Sequence, residues 1–247
     1  MDPSKISILL YSHSDYSFLW KATVPLLVKY ASEMKIYFLC DSTANFEIPE
    51  SWTTILYDPT TTVWSERINI ALNLVPSEYI VYLQEDWLLI EPLKLDVFEY
   101  LLEFMECKEC EFLMSFGWDN YNNDYSTCMY ECIYKDYIIE KMPRGHMFFP
   151  AIWKKSLLEK ICKNRLELKN YEGSTRDLTR DHNCCCVTNI KNVTYLKTKS
   201  LFFPHYHALN GGRWVFNRFP ELQELLESYG IDTSTREIET EWMKEFK

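Results

Sequence analysis

The chain has 247 residues, 47% hydrophobic and 25% charged, a balance that excludes wholesale disorder and suits one large folded unit. It carries 36 acidic and 26 basic side chains, a net charge of −10 at pH 7. Such a surface repels phosphate backbones, which argues against nucleic acid as a general partner. Of the nine cysteines, Cys184, Cys185 and Cys186 are consecutive. An odd count with adjacent thiols does not suit a secreted disulfide framework, so the expected setting is reducing and cytoplasmic. The opening MDPSKISILLYSHSDY has no basic stretch ahead of its short apolar run, unlike a signal peptide. No stretch approaches the roughly 20 apolar residues that span a bilayer.

In chain order, residues 6–12 read as a buried strand, 16–34 as a helix that Pro25 starts or kinks, 35–40 and 54–57 as strands, and 68–75 as a helical stripe (Ile68, Ala71, Leu72, Val75) that stops at Pro76. Residues 79–83 (YIVYL) form the next strand and run straight into Gln84-Glu85-Asp86. The alternation of strands and helices predicts an α/β fold, with a mixed, mostly parallel central sheet flanked by helices. Ligands of such sheets bind beyond the carboxyl ends of the strands. Ser12-His13-Ser14-Asp15, Asp41-Ser42 and Glu85-Asp86 all fall at such ends. Farther on, 95–105 reads as helix, 111–116 as strand, 130–139 as strand or hairpin, and 150–162 as one helix. Residues 167–186 read as polar and without a strand, 195–203 as a strand, 205–214 as a loop, and 219–229 and 235–246 as helices. Nothing resembles a repeat or a linker, which predicts one domain over 1–247.

Four clusters of residues carry chemical promise. Adjacent carboxylates Glu85 and Asp86 at a sheet rim suit Mg²⁺ or Mn²⁺ bound through oxygen, although an Glu-Asp pair also closes many solvated turns. Trp64-Ser65-Glu66-Arg67 opens a helix, where Arg67 suits an oxyanion and Ser65 suits an N-cap. Glu172, followed by Arg176, Asp177, Arg180 and Asp181, offers a general base or simply a charged loop. His205 and His207, two residues apart, suit a metal or a phosphate, and Gly211-Gly212-Arg213 suits an anion or an ordinary turn. Cys107-x2-Cys110 with Cys128-x3-Cys132 loosely follows a four-thiolate zinc spacing, but buried, idle thiols fit these positions better, and the Cys184–Cys186 run is expected to pack inside. There is no GxSxG, Walker loop or GxGxxG, so serine-nucleophile, P-loop and dinucleotide readings lack their core element.

Several segments together resemble a family of small, family-2-like GT-A glycosyltransferases from bacterial and viral surface-glycan clusters. VWSERINIALNLVPSEYIVYLQEDWLLIEP is the most specific of them; ISILLYSHSDYSFLWKATVPLLVKY, FFPAIWKKSLLEKI, NYEGSTR and ALNGGRW accompany it. The resemblance implies a nucleotide-sugar-binding half over 1–92, an acceptor-binding half over 93–215 and C-terminal helices over 216–247. It also implies a Mn²⁺ or Mg²⁺ ion on Asp86 and Glu85, with His205 and His207 as further ligands or diphosphate contacts. Tyr11, Ser12, His13 and Asp41 would line the nucleotide, Trp64 and Arg67 would border it, and Arg213 would stabilise the departing diphosphate. Glu172 would deprotonate the acceptor, with Asp177 and Asp181 as alternatives. Two departures stand out: the acidic motif is Gln84-Glu85-Asp86-Trp87 rather than Asp-x-Asp, and Tyr171 stands where the family carries Trp.

The activity expected is inverting transfer of a sugar from a nucleoside-diphosphate sugar to a hydroxyl of a glycan or other acceptor. Trp118, Tyr121, Phe148, Phe149 and Trp153 are candidates for an aromatic acceptor pocket. The competing readings are a nucleotide-sugar or glycan-binding module without turnover, and a nucleotidyltransferase, although the latter ordinarily has a glycine-rich phosphate loop that YSHSDYS lacks.

Overall fold

An apolar run without alternation needs cover on both faces, and the first strand has it: β1 (Ile6–Tyr11) is buried along its whole length. This computed structural model describes residues 4–43, 46–115, 129–134, 137–142, 150–167, 171–189, 202–217 and 219–239. A 3-10 turn (Ser14–Tyr16) leads from β1 into α1 (Ser17–Tyr30). Pro25 sits inside that helix, on the exposed side with Lys21. The carbonyl of Lys21, which a proline cannot serve, therefore faces water, and the helix continues.

Next come β2 (Lys35–Cys40), β3 (Thr53–Leu56), α2 (Trp64–Leu72), β4 (Tyr79–Gln84), β5 (Trp87–Leu89), α3 (Leu95–Cys107), β6 (Phe112–Met114), β7 (Met129–Tyr134) and β8 (Tyr137–Met142). They are followed by β9 (Ala151–Lys154), α4 (Lys155–Cys162), α5 (Tyr171–Leu178), β10 (Cys184–Asn189), β11 (His205–His207), β12 (Leu209–Asn210), β13 (Arg213–Trp214) and α6 (Pro220–Ser228).

Among the described residues, nine strands form one sheet in the order β3-β2-β1-β4-β9-β6-β10-β8-β7. Only β9 and β8 run against the rest, each antiparallel to both of its neighbours. The other seven point one way, so the mixed, mostly parallel sheet anticipated from the sequence is present. Alternate side chains of β1 feed two core layers. Ile6, Ile8 and Leu10 pack with Trp20, Val24 and Leu27 of α1 and Val97, Phe98 and Leu101 of α3. Leu9 and Tyr11 pack with Trp64, Ile68 and Leu72 of α2 and Leu157, Leu158 and Ile161 of α4. The outer side of α1 (Leu19, Ala22, Leu26) is covered by Trp214, Phe216, Leu222 and Leu226.

Four readings of the second half change. Residues 151–154 form β9 rather than the first turn of a helix. Ile152 faces one core layer and Ala151 and Trp153 the other, and only a strand wedged between β4 and β6 buries both sides. Residues 171–189 supply α5 and β10; Cys184, Cys185 and Cys186 are buried in the sheet, packing inside as expected. The 205–214 segment makes three short strands, because its partner is the distant β5 (His205↔Leu89, His207↔Trp87) and then its own hairpin. Residues 233–235 form a 3-10 turn, after which Ile238 bridges Trp214, so the described start of the last expected helix is not helical. The strand expected over 195–203 falls mostly outside the described residues, and its described end, 202–203, is not strand. No helix of the described residues is long and apolar enough to cross a membrane.

Candidate functional site

Strand register brings the polar clusters to one rim. Tyr11 lies opposite Leu39 of β2 and Gln84 of β4, and Cys40 lies opposite Leu56 of β3. The residues just past these ends, Ser12, Asp41, Tyr57 and Glu85, are therefore neighbours. Backbone bonds continue the alignment past the strands, from Ser12 N to Leu39 O at 2.9 Å and from Tyr57 N to Cys40 O at 3.0 Å.

Helix α1 pins the rim from one side. Trp20 Nε1 donates to Ser12 Oγ at 2.7 Å, and Thr23 Oγ1 donates to the Glu85 carbonyl at 2.6 Å. Asp41 accepts from the Ser14 N–H and the Ser14 hydroxyl, each at 2.7 Å, and its Oδ2 lies 3.5 Å from His13 Nε2. Burial pushes the Asp41 carboxyl up, but the Ser14 hydrogen bonds and His13 outweigh it and leave its pKa below the usual value. His13 Nδ1 in turn accepts from the Asp15 N–H at 3.2 Å. Both Asp41 oxygens are thus engaged in fixing the 3-10 turn.

Arg67, from the first turn of α2, is 3% exposed. Its Nη1 donates to Tyr11 Oη at 2.8 Å and Tyr57 Oη at 3.1 Å, its Nε donates to the Thr61 carbonyl at 2.8 Å, and its guanidinium lies 4.4 Å from the Tyr57 ring centre. Tyr57 Oη also donates to the Ser12 carbonyl at 2.9 Å. Arg67 therefore locks the β3–α2 connection to the ends of β1 and β3, and those N–H groups are not offered to a ligand. Trp64 is fully buried, with its indole N–H on Tyr82 Oη at 3.3 Å. Its expected place beside the nucleotide gives way to a place in the core, because the apolar face of α2 carries it inward. Ser65 is buried, and its hydroxyl accepts from the Leu166 N–H at 3.1 Å rather than capping α2, whose N-cap is Val63.

The two adjacent carboxylates have different surroundings. Glu85 is drawn inward. Burial first, and the negative charge of Asp86 second, raise its pKa to about 8 against the opposing hydrogen bond of Ser12. Asp86 lies where the chain turns into β5, and its carbonyl accepts from the Ala208 N–H at 2.8 Å. One carboxylate oxygen, Oδ2, stands 3.1 Å from His207 Nε2. The other, Oδ1, is buried without a hydrogen-bond partner among the described residues. A buried anionic oxygen in that state is costly, and a cation would satisfy it. Asp86 therefore fits a divalent cation as a single-oxygen ligand, while Glu85 does not stand beside it as a second exposed acid.

His205 corrects another expectation. Its ring is fully buried against Trp87 (4.7 Å between ring centres) and Phe203 (5.6 Å), and its Nδ1 contacts the Phe203 carbonyl. It belongs to the packing beneath β5 rather than to a cation shell. Among the described residues no three His, Cys, Asp or Glu side chains gather to hold a metal, so the four ligands expected together do not form a ready-made set. Of the cysteine spacing, Cys107 is exposed and Cys110 is buried with its thiol on the Phe112 carbonyl at 3.1 Å, while Cys128 and the side chain of Cys132 lie outside the described residues.

Arg213 is on the β12–β13 hairpin, in an exposed ion pair with Glu237 at 3.3 Å. The hairpin turns on Gly211 (φ 55°) and Gly212 (φ 79°) between the paired Asn210 and Arg213. Two consecutive positive φ values make a two-residue turn for which glycine is suited. Gly-Gly is therefore explained by the turn itself. Glu172 lies on α5, with its side chain outside the described residues. Asp177 is exposed and paired with Arg180 at 3.0 Å, and Asp181 is exposed. Of the expected acceptor aromatics, Trp118, Tyr121, Phe148 and Phe149 are outside the described residues. Trp153 is a fully buried core side chain against Phe112, at 4.5 Å between ring centres, so it is no pocket wall.

Sequence reasoning missed Trp20, Thr23, Tyr57 and Trp87 as rim residues. Only Tyr57 had a visible signal, as the last residue of a short strand; the rest come from a helix or a ladder that closes over the rim.

No protein-family model and no curated protein matches this chain. Solved structures similar to it include a cytidylyltransferase from Leptospira borgpetersenii, with a TM-score of 0.49, 12% identity and coverage of 96% of this chain and 99% of that one. S. aureus TarS 1-349 in complex with UDP gives a TM-score of 0.47 and 10% identity over 93% of this chain and 68% of that one. The bifunctional IspDF from Campylobacter jejuni gives 0.45 and 14% over 81% of this chain. The chain spans 52% of that IspDF chain and 36% of a longer TarS chain. All these scores are below 0.5, so no argument about what this chain does rests on them.

Proposed function

We propose that the protein is a glycosyltransferase that moves a sugar from a nucleoside-diphosphate sugar to an acceptor hydroxyl, with Mn²⁺ or Mg²⁺ bound at Asp86. The observation that carries this reading is the unpartnered, buried Asp86 Oδ1 at the carboxyl-end rim of the sheet, where α/β folds bind their ligands. Asp86 would hold the cation, which when bound supplies positive charge against the leaving diphosphate.

The other tasks fall to the chain itself. Ser12, held by Trp20 and Tyr57, and His13, beside Asp41, present the end of β1 to the nucleotide. Arg67 acts from below by keeping Tyr11, Tyr57 and the Thr61 carbonyl in place rather than by touching phosphate. Glu172, on α5, is proposed from the family resemblance as the base that takes the acceptor proton. Direct displacement by the acceptor oxygen inverts the anomeric carbon: its bond to that carbon forms as the bond to the diphosphate oxygen breaks, and the proton passes to the base.

The test is a reaction assay with UDP-, GDP-, CMP- and dTDP-linked sugars, with and without Mn²⁺. Metal-dependent release of free nucleotide, abolished in Asp86→Ala, is expected. Release of pyrophosphate from a nucleoside triphosphate and a sugar phosphate would identify a nucleotidyltransferase instead. Donor binding without any turnover would identify a binding module.

A further inference from the structure

The contact between His207 and Asp86 has a specific consequence. His207 is directly opposite Trp87 in the β11–β5 ladder, and Trp87 is the residue after Asp86. The imidazole lies flat on the indole, with ring centres 4.1 Å apart and planes 6° from parallel. One residue on, the Ala208 N–H holds the Asp86 carbonyl at 2.8 Å. The ring is therefore fixed by a ladder partner, a stacking partner and the neighbouring backbone bond, and its Nε2 reaches Asp86 Oδ2 at 3.1 Å. A carboxylate oxygen only accepts, so Nε2 carries the proton in this contact. An Nε2 that donates to Asp86 has no lone pair for a metal ion.

The geometry points to His207 as a positioning residue. It donates from Nε2 to Asp86 Oδ2 and so directs Oδ1 as the sole Asp86 oxygen toward the cation, instead of ligating that cation itself. This rests on the reading of Asp86 given above. It follows the general arrangement in which a group outside the ligand set orients a ligating carboxylate, where loss of the outer partner costs metal affinity about 10–100-fold. Trp87 shares the role by holding the ring plane.

Three readouts test this. In metal-free protein labelled with ¹⁵N-histidine, long-range ¹H–¹⁵N spectra assign the His207 tautomer. The expected result is a protonated Nε2 in the wild type and loss of that fixed tautomer in Asp86→Ala, which leaves no acceptor for it. Pulsed EPR of Mn²⁺, added alone and then with each of UDP, GDP and CDP, reads whether an imidazole nitrogen couples to the metal. No such coupling is expected in the wild type. His207→Gln, whose amide keeps a donor for Asp86, should bind Mn²⁺ within a few-fold of wild type, whereas His207→Ala should weaken it about 10–100-fold. An imidazole coupling that vanishes in His207→Gln would make His207 a ligand and overturn the positioning role alone. A wild type that takes no Mn²⁺ with any of the three nucleotides overturns the role together with the reading on which it rests. Should His207→Ala be too unstable to measure, the tautomer spectra and the His207→Gln affinity still decide.

Discussion

His205 makes acid stability a test of how the rim is built. Full burial, the largest influence, lowers its imidazole pKa from 6.5 to about 3; the Phe203 carbonyl opposes this and His207 adds to it. The unfolded chain takes up a proton near pH 6.5 and the folded chain does not, so the unfolded state binds more protons below that pH and stability falls as pH falls. Between pH 7.5 and 5.5 this one group removes about 1.4 kcal/mol, a figure insensitive to the folded value as long as it stays well below 5.5. The loss continues until the pH approaches the folded value. The perturbation is His205→Asn, which keeps a donor near Nδ1 for the Phe203 carbonyl and does not titrate. Denaturant unfolding from pH 7.5 to 5.5 should show a wild-type decline steeper than that of His205→Asn by about 1.4 kcal/mol. The absolute stability of the variant does not enter. Equal slopes would mean that His205 protonates freely in the folded state, and the packing of β11 on β5 described above would be wrong.

Other outcomes follow from the same contacts. Tyr57→Phe removes the hydroxyl that donates to the Ser12 carbonyl and accepts from buried Arg67. A cost of about 1–3 kcal/mol in denaturant unfolding is expected, and a change within 0.3 kcal/mol, roughly the noise of independent sites, would contradict the lock. Gly212→Ala places a side chain at φ 79° and should cost about 1–2 kcal/mol; an unchanged stability would show that the hairpin adopts another turn. Arg213→Ala should leave stability within about 0.5 kcal/mol, since its ion pair with Glu237 is exposed, so a strong loss of transfer activity in that variant would mark a contact made only with substrate.

The first ninety residues were legible because their strands are continuous apolar runs closed by polar residues, and because parallel order follows from alternation with helices. Placing Ser12, Asp41 and Glu85 at one edge needed only the direction of β1, β2 and β4. The side-chain detail was not legible. Whether Glu85 or Asp86 keeps an unpartnered oxygen depends on Ser12, Trp20, Thr23 and His207, residues up to 122 positions away in the chain, the separation of His207 from Glu85. Trp64 and Arg67 read as ligand contacts because their residue types suit nucleotides, but the face of α2 sets them inward. Residues 151–154 read as helix because Trp153 falls in phase with Leu157 and Ile161, and periodicity does not report that β4 and β6 leave a slot for a strand. The Cys184–Cys186 strand was missed because cysteine is seldom counted among strand formers, although its small apolar side chain packs well in a sheet covered on both faces.

The most direct measurement is calorimetric titration of UDP-, GDP-, CMP- and dTDP-linked sugars into the wild type and Asp86→Asn, each with Mn²⁺ and with EDTA. If Asp86 Oδ1 holds the cation that meets the diphosphate, one donor binds the wild type with Mn²⁺ and loses that affinity both with EDTA and in Asp86→Asn. Donor binding of equal strength in Asp86→Asn, still dependent on Mn²⁺, would place the cation elsewhere and contradict the account.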